Sequence, residues 1–117
     1  MAAEQESYMR EALALAREGA LAGEVPVGCV IVQNGRIVGR GRNRREEKRS
    51  AASHAEMEAI SQANETLGTW RLEGCELYVT LEPCPMCAGA ILNARIGRVC
   101  YGARDRAWGA CGGVMNL

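Results

Sequence analysis

One histidine and two cysteines of this chain have the residue types and the spacing of a metal site. His54 is the single histidine among 117 residues, and Glu56 follows two positions later. Cys84 and Cys87 lie about thirty residues further on, in a Pro-Cys-Pro-Met-Cys run. One imidazole and two thiolates suit Zn²⁺ and leave the fourth tetrahedral position open for water, as hydrolytic zinc sites require. We therefore predict a hydrolytic zinc site with the Glu56 carboxylate as its proton carrier.

Simpler interpretations exist for the same residues. The run from Ser53 to Glu56 matches a capping box, in which Ser53 caps a helix and Glu56 reaches back to the cap amide. Cys84 and Cys87 could instead belong to a disulfide framework among the six cysteines. No hydrophobic signal segment precedes the domain, however, and we therefore expect the reducing environment of the cytoplasm.

The other cysteines have less distinctive surroundings. Cys29, Cys75 and Cys100 lie in apolar, strand-like runs, where cysteine usually serves as a small buried hydrophobe. Cys111, in a glycine-rich stretch, has no obvious role. In a non-catalytic, zinc-stabilised module, Cys100 or Cys111 would close the metal site as a fourth ligand.

Charge is balanced overall but unevenly distributed along the chain. The 14 basic and 14 acidic residues cancel, so net charge does not indicate a polyanionic partner. Residues 36–49 nevertheless hold seven bases against two acids, and all but one of the chain's bases are arginine, whose planar guanidinium suits phosphate. A charged run is also typical of a solvated loop, and both interpretations stay open.

Hydrophobic periodicity predicts a single α/β domain over residues 1–117, with no transmembrane span. Apolar residues at helical spacing predict a first helix over 7–22, and the Asn34-Gly35 pair predicts a hairpin turn between strands over 25–33 and 36–42. Further along, the pattern predicts a helix from Ser53, a strand over 75–80, a helix over 85–95 and a strand over 98–101. Strands that alternate with helices favour parallel neighbours in the sheet.

Both zinc-ligand motifs are predicted at the starts of helices. His54 and Glu56 would lie on opposite sides of a regular helix, but both can face one site at its entry turn. Proline suits the first position of a helix, and the prolines on either side of Cys84 therefore favour a helix that begins there. Cys84 and Cys87 would lie where the helix dipole and free amides favour thiolates over thiols.

With these motifs the sequence resembles the zinc-dependent cytidine and nucleobase deaminases, and within them the TadA-type bacterial tRNA adenosine deaminases. The resemblance covers nearly the whole chain. Beyond the zinc motifs, it rests on Glu-Val-Pro-Val-Gly at 24–28, Asn-Arg at 43–44, the run 80–90, and the segments 95–98 and 101–105.

The resemblance implies a three-layer α/β/α cytidine-deaminase-like fold with a mixed central sheet, and hydrolytic conversion of the wobble adenosine of a tRNA anticodon to inosine. It implies one zinc ion per chain on His54, Cys84 and Cys87, with Glu56 as the proton shuttle. The implied substrate contacts are Val27, Asn43, Ala55, Arg104 and Asp105. From the residues alone, Asn43 could equally be a turn residue and Asp105 a helix cap.

Members of this family continue for several tens of residues past the position of Leu117. We therefore expect the fold to lack the usual C-terminal strand and helix, and an uncovered sheet edge favours a homodimer. Two other functions stay open. The zero net charge favours a deaminase of a free nucleobase, nucleoside or nucleotide such as guanine, cytosine or cytidine, and the non-catalytic zinc module is the third candidate.

Overall fold

Four strands form one mixed sheet in the computed structural model, which describes residues 3–103 and Gly109. The strands are β1 (Gly28–Gln33), β2 (Arg36–Arg42), β3 (Cys75–Leu81) and β4 (Arg98–Ala103), and they lie in the order β2-β1-β3-β4. β1 pairs antiparallel with both β2 and β3, whereas β3 and β4 are parallel. The predicted mixed sheet with a parallel pair is confirmed.

Helices cover both faces of this sheet. They are α1 (Ala3–Leu21), α2 (Arg45–Lys48), α3 (Ala55–Leu67) and α4 (Pro85–Asn93). Successive strand residues point to opposite faces, and accordingly Val30 and Val32 pack with α1 while Cys29 and Ile31 pack with α3 and α4. The predicted α/β/α layering is confirmed. None of the described helices is long and apolar enough to cross a membrane.

The hairpin between β1 and β2 follows the prediction. Asn34 and Gly35 have φ of 50° and 76°, and positive φ at both central residues is the requirement of a type I′ turn. The register shifts between Ile31 and Val32, which indicates an irregularity in the ladder. The bounds predicted for β2 agree with the structure.

Several predicted boundaries were wrong. The first helix begins at Ala3 rather than residue 7, and β1 begins at Gly28 rather than residue 25. α4 ends at Asn93, two residues early, and β3 and β4 extend one and two residues further than predicted. The expected absence of a C-terminal strand and helix stays a prediction, because it concerns residues beyond Ala103.

Glycines on β2 allow α3 to lie directly on the sheet. A Cβ atom on Gly41 would overlap the Ala55 carbonyl oxygen and come within 2.6 Å of the Ala59 nitrogen. A Cβ atom on Gly39 would likewise overlap the Ala59 carbonyl oxygen. The α3 backbone therefore touches the β2 backbone with no side chain between them, and this contact fixes the position at which α3 begins.

We expect Gly41→Ala to destabilise the protein, because the added methyl group meets main-chain atoms that cannot move independently. Overpacking of this kind costs about 1–3 kcal/mol, measured as a lower free energy of unfolding in denaturant. Gly89→Ala is the matched control, since a Cβ atom there meets nothing within 4 Å. This exposed helical position should gain about 0.5–1 kcal/mol. Equal stability of the two variants would contradict the close packing of α3 on β2.

Candidate metal centre and active site

His54, Cys84 and Cys87 bring three metal-binding atoms together. The His54 Nδ1 atom lies 3.7 Å from the Cys84 Sγ and 3.5 Å from the Cys87 Sγ, and all three donors lie within 4.8 Å of one another. Zinc bonds of usual length at tetrahedral angles place an imidazole nitrogen and a thiolate sulfur about 3.6 Å apart. The three donors therefore fit a tetrahedral zinc ion. Within the described ranges, this is the one cluster of three such donors, and Cys100 does not belong to it.

Two helix N-termini hold these donors. His54 is the N-cap residue of α3 and Cys84 is the N-cap residue of α4, with Pro85 at the first position of the helix. Neither N-cap side chain forms a capping hydrogen bond with its own helix, so the His54 imidazole and the Cys84 thiol can face each other. Cys87 lies in the first turn of α4. The prediction that both motifs lie at helix starts is confirmed.

The capping-box interpretation of the Ser53 to Glu56 run is wrong. α3 begins at Ala55, so His54 rather than Ser53 occupies the N-cap position, and no side chain caps the helix from there. Glu56 becomes the second helical residue instead of the third. Its carboxyl group is consequently not required for the helix start.

Glu56 is a buried carboxyl group beside the donors. The residue is only 4% exposed. Burial raises the pKa of Glu56 to about 7, although its own backbone amide and the Cys87 thiol oppose the shift by hydrogen bonding. A carboxyl group with a pKa near neutrality is suited both to accept and to release a proton.

The protonation of the donors follows from their surroundings. Burial, with the nearby positive charge of Arg45, lowers the pKa of His54 and favours the neutral imidazole that metal binding requires. Burial raises the pKa of the Cys87 thiol, and the charges of Glu56 and Cys84 raise it further. A divalent cation beside the sulfur would oppose this shift, since it favours the thiolate.

A cavity of about 540 Å³ opens onto Glu56 and the donors His54 and Cys84. This volume is within the usual range for small-molecule sites. The walls are mainly apolar, with Val25, Val27, Leu81 and Met86 among them. A nucleobase could therefore enter with its flat faces against apolar side chains and its edge toward a few polar groups.

Three of the predicted substrate contacts line this cavity, namely Val27, Asn43 and Ala55. Asn43 is 5% exposed, and its Oδ1 atom is buried without a hydrogen-bond partner in the described part of the chain. A donor on a ligand could satisfy this oxygen. The other two predicted contacts, Arg104 and Asp105, lie outside the described residues.

Sequence reasoning missed Glu82 and predicted Arg44 and Arg45 together as phosphate contacts, without separating the two arginines. Glu82 lines the cavity and is 2% exposed, and Arg45 lines it from the first position of α2. The position of Glu82 directly before the Pro-Cys motif was an available signal. For Arg45 the basic run 36–49 was the only signal, and it did not distinguish one arginine from the next.

Comparison with known proteins agrees with this geometry. Residues 2–103 match the family described as the cytidine and deoxycytidylate deaminase zinc-binding region. The tRNA-specific adenosine deaminase of Bacillus subtilis is 51% identical over 97% of this chain and 71% of its own length. A solved structure from work on tRNA:A34 deaminases, which edit adenosine to inosine at the wobble position, matches 94% of this chain and 85% of its own with a TM-score of 0.92 and 48% identity.

A second solved structure belongs to a different deaminase. The guanine deaminase of Bacillus subtilis matches 89% of this chain and 66% of its own, with a TM-score of 0.83 and 42% identity. The chain belongs to the cytidine and deoxycytidylate deaminase family. It is thus a zinc-dependent deaminase domain, and its mixed sheet between helices is the fold of that family.

We expect purified protein to contain one zinc ion per chain, with two sulfur ligands, one imidazole nitrogen and one oxygen from solvent. X-ray absorption should detect sulfur at about 2.3 Å and nitrogen at about 2.0 Å. Cys84→Ser and Cys87→Ser should each lower the zinc content measured by mass spectrometry. Cys100→Ser is the control and should retain full zinc. A third sulfur ligand, or zinc lost from the control, would contradict the three-donor site.

Proposed function

We propose that this chain converts the wobble adenosine of a tRNA anticodon to inosine, as a single zinc-dependent deaminase domain of the cytoplasm. The observation that carries the proposal is the 51% identity to a tRNA-specific adenosine deaminase over 97% of the chain. The donor cluster and the buried carboxyl group at a base-sized cavity support it.

His54, Cys84 and Cys87 would hold the zinc ion. Bound there, zinc acts as a Lewis acid that lowers the pKa of a water molecule toward neutrality. The N-termini of α3 and α4 orient the three donors from two directions. Rigid main-chain elements rather than flexible loops therefore determine where the three donors lie.

Glu56 would carry the protons of the reaction. It would take a proton from the attacking water and deliver it to the purine ring nitrogen as carbon six is attacked. It would then take the proton of the new hydroxyl group at carbon six and deliver it to the departing amine. Water is consumed and ammonia is released, which balances the conversion of adenosine to inosine. One group close to both water and base suffices for both proton relays, and the burial of Glu56 excludes competing solvent.

The base would be held by Val27, Asn43 and Ala55. Val27 offers an apolar wall, the Asn43 amide a hydrogen-bonding group, and Ala55 a backbone amide at the start of α3. The unpaired Oδ1 of Asn43 supports this role, since a buried acceptor without a partner is costly until a ligand donor satisfies it. Arg104 and Asp105 remain proposed contacts to the neighbouring nucleotide.

Arg45 would contact the phosphate backbone of the RNA. Its side chain is exposed at the cavity and makes no ion pair or hydrogen bond to the residues described. Arg44, next to it, is 2.5 Å from the Glu47 carboxylate, and the buried Arg42 is 2.9 Å from the same group. Among these three arginines, Arg45 is therefore the one whose charge is free for RNA.

The protein would act as a homodimer. Large apolar side chains remain exposed in the described part of the chain, including Met86 and Leu92 on α4 and Trp70 before β3. Exposed apolar surface of this kind is typical of association sites. Analytical ultracentrifugation of the zinc-loaded protein at micromolar concentration tests the proposed dimer, and sedimentation as a monomer would contradict it.

Deamination of a free purine is the second candidate. The similarity to a guanine deaminase and the zero net charge favour it. A small base also needs no basic surface. This alternative predicts that activity does not depend on RNA structure or on salt.

We expect the zinc-loaded protein to form inosine at the wobble adenosine of an anticodon stem-loop. Bases displayed in a loop are easier to extrude into a pocket than bases in a duplex, so the same sequence in a duplex should react poorly. Mass spectrometry of the products, with free adenosine, cytidine and guanine in parallel, makes the comparison. Efficient turnover of free guanine or adenosine, equal to that of the stem-loop, would favour the second candidate.

Glu56→Ala is the control for this assay. It should retain zinc, since Glu56 is not among the donors, and yet lose turnover by several orders of magnitude. Turnover is normalised to folded, zinc-loaded protein. Activity that persists in this variant would remove Glu56 from the mechanism.

We expect Arg45→Ala to weaken stem-loop binding and to reduce the salt dependence of the logarithm of the binding constant by about one unit. A lost phosphate contact acts through counterion release and therefore appears in this slope. Arg44→Ala, whose charge is already paired with Glu47, is the matched control and should change the slope much less. Equal slopes for the two variants, measured by fluorescence anisotropy, would contradict the assignment to Arg45.

A further inference from the structure

Glu24 is a buried carboxylate with main-chain partners far along the chain. The residue is 6% exposed and follows the end of α1. Its Oε1 atom accepts a hydrogen bond from the Glu46 backbone amide at 3.2 Å, and its Oε2 atom accepts one from the Glu47 amide at 2.8 Å. Both carboxylate oxygens are therefore used by a segment more than twenty residues away.

These two amides belong to the first turn of α2. The N-cap residue, Arg44, provides no side-chain cap. A helix of four residues is too short to be stable by itself, and its free amides need acceptors. Glu24 supplies them and carries the negative charge that a helix N-terminus favours. The formation of α2 thus depends on a residue outside it.

α2 and the residues beside it form one wall of the cavity. Asn43 and Arg45 line the cavity from this side, and Val25 and Val27, which follow Glu24 within three residues, line it as well. The Asn43 backbone amide also donates to the Val27 carbonyl oxygen at 3.3 Å. The segment 24–27 is therefore joined to the segment 43–47 twice, once by this backbone hydrogen bond and once by the Glu24 side chain.

Arg42 also links Asn43 to α2. It is 7% exposed, its Nη1 atom donates to the Asn43 carbonyl oxygen at 3.3 Å, and its Nη2 atom pairs with Glu47 at 2.9 Å. At its other side it lies 3.5 Å from Glu18 on α1. The position of Asn43 thus depends on Arg42, α2 and Glu24 together, while the exposed Glu18 touches only the outer edge of this network.

We propose that Glu24 is a positioning residue for substrate binding, which acts by capping α2 and so placing Asn43 and Arg45 at the cavity. This inference rests on the proposed function. Glu24 would not touch the substrate. The zinc donors and Glu56 belong to α3 and α4, so loss of the cap should affect substrate binding before it affects the chemical step.

Glu24→Gln tests the proposal. The glutamine NH₂ group replaces one acceptor by a donor that faces a backbone amide, so one of the two hydrogen bonds must break. We expect KM for the stem-loop to rise about tenfold, with kcat within about twofold of wild type and zinc content unchanged. Hydrogen exchange of the Glu46 and Glu47 amides should accelerate about tenfold, since the cap that protects them is weakened.

Glu18→Gln is the matched control, because it changes an exposed carboxylate at the edge of the same network. It should leave KM and both exchange rates within about twofold of wild type. If Glu24→Gln does not fold, Glu24→Asp, which keeps the charge on a shorter side chain, should give intermediate values of KM and exchange.

Unchanged KM or unchanged exchange at Glu46 and Glu47 would overturn the proposal. A loss of kcat in proportion to folded protein, with KM unchanged, would indicate a merely structural residue and overturn it too. Failure of the wild-type protein to deaminate the stem-loop would instead refute the proposed function. KM for the substrate that is turned over, together with the exchange rates, would then decide the role of Glu24 separately.

Discussion

The contact between the α3 and β2 backbones is the constraint on which the rest of the site depends. Gly39 and Gly41 allow it, since any Cβ atom at either position would overlap main-chain atoms of α3. Because the helix rests directly on the sheet, its first turn has little freedom to shift. That turn carries Ala55 and Glu56, and His54 precedes it. A packing requirement of the sheet thereby determines the position of one metal donor and of the proton-carrying group.

The second helix start, that of α4, completes the arrangement. β3 ends at Leu81, and a short connection leads to Cys84 at the N-cap of α4. The parallel pairing of β3 with β4 places α4 on the same side of the sheet as α3. The two helix N-termini consequently meet where their dipoles favour negative charge. Two cysteine sulfurs and a carboxyl group are concentrated at this point, and a bound dication would favour the thiolate form of the cysteines.

Local sequence patterns predicted the parts of the structure that local forces determine. The Asn34-Gly35 turn, β2 and the metal donors at helix starts all follow from short-range rules of turn chemistry, periodicity and spacing. The capping box failed because a pattern of four residues does not reveal which of them begins the helix. α2 was not predicted because its amides are satisfied by Glu24, whose contact with it spans more than twenty residues of sequence. Arg45 was not distinguished from Arg44, although Glu47, which neutralises Arg44, is only three residues away, because the short helix α2 that brings these two side chains together was not predicted.

The central claim is that one zinc ion on His54, Cys84 and Cys87 makes this domain a deaminase of structured RNA. A titration tests it most directly: metal is removed from the folded protein, Zn²⁺ is returned in steps, and inosine formation on the anticodon stem-loop is followed at each step. The account predicts no activity without metal, then a linear rise that reaches its plateau at one equivalent per chain. Activity in the metal-depleted protein, or zinc that binds stoichiometrically and restores structure but no inosine formation, would contradict it.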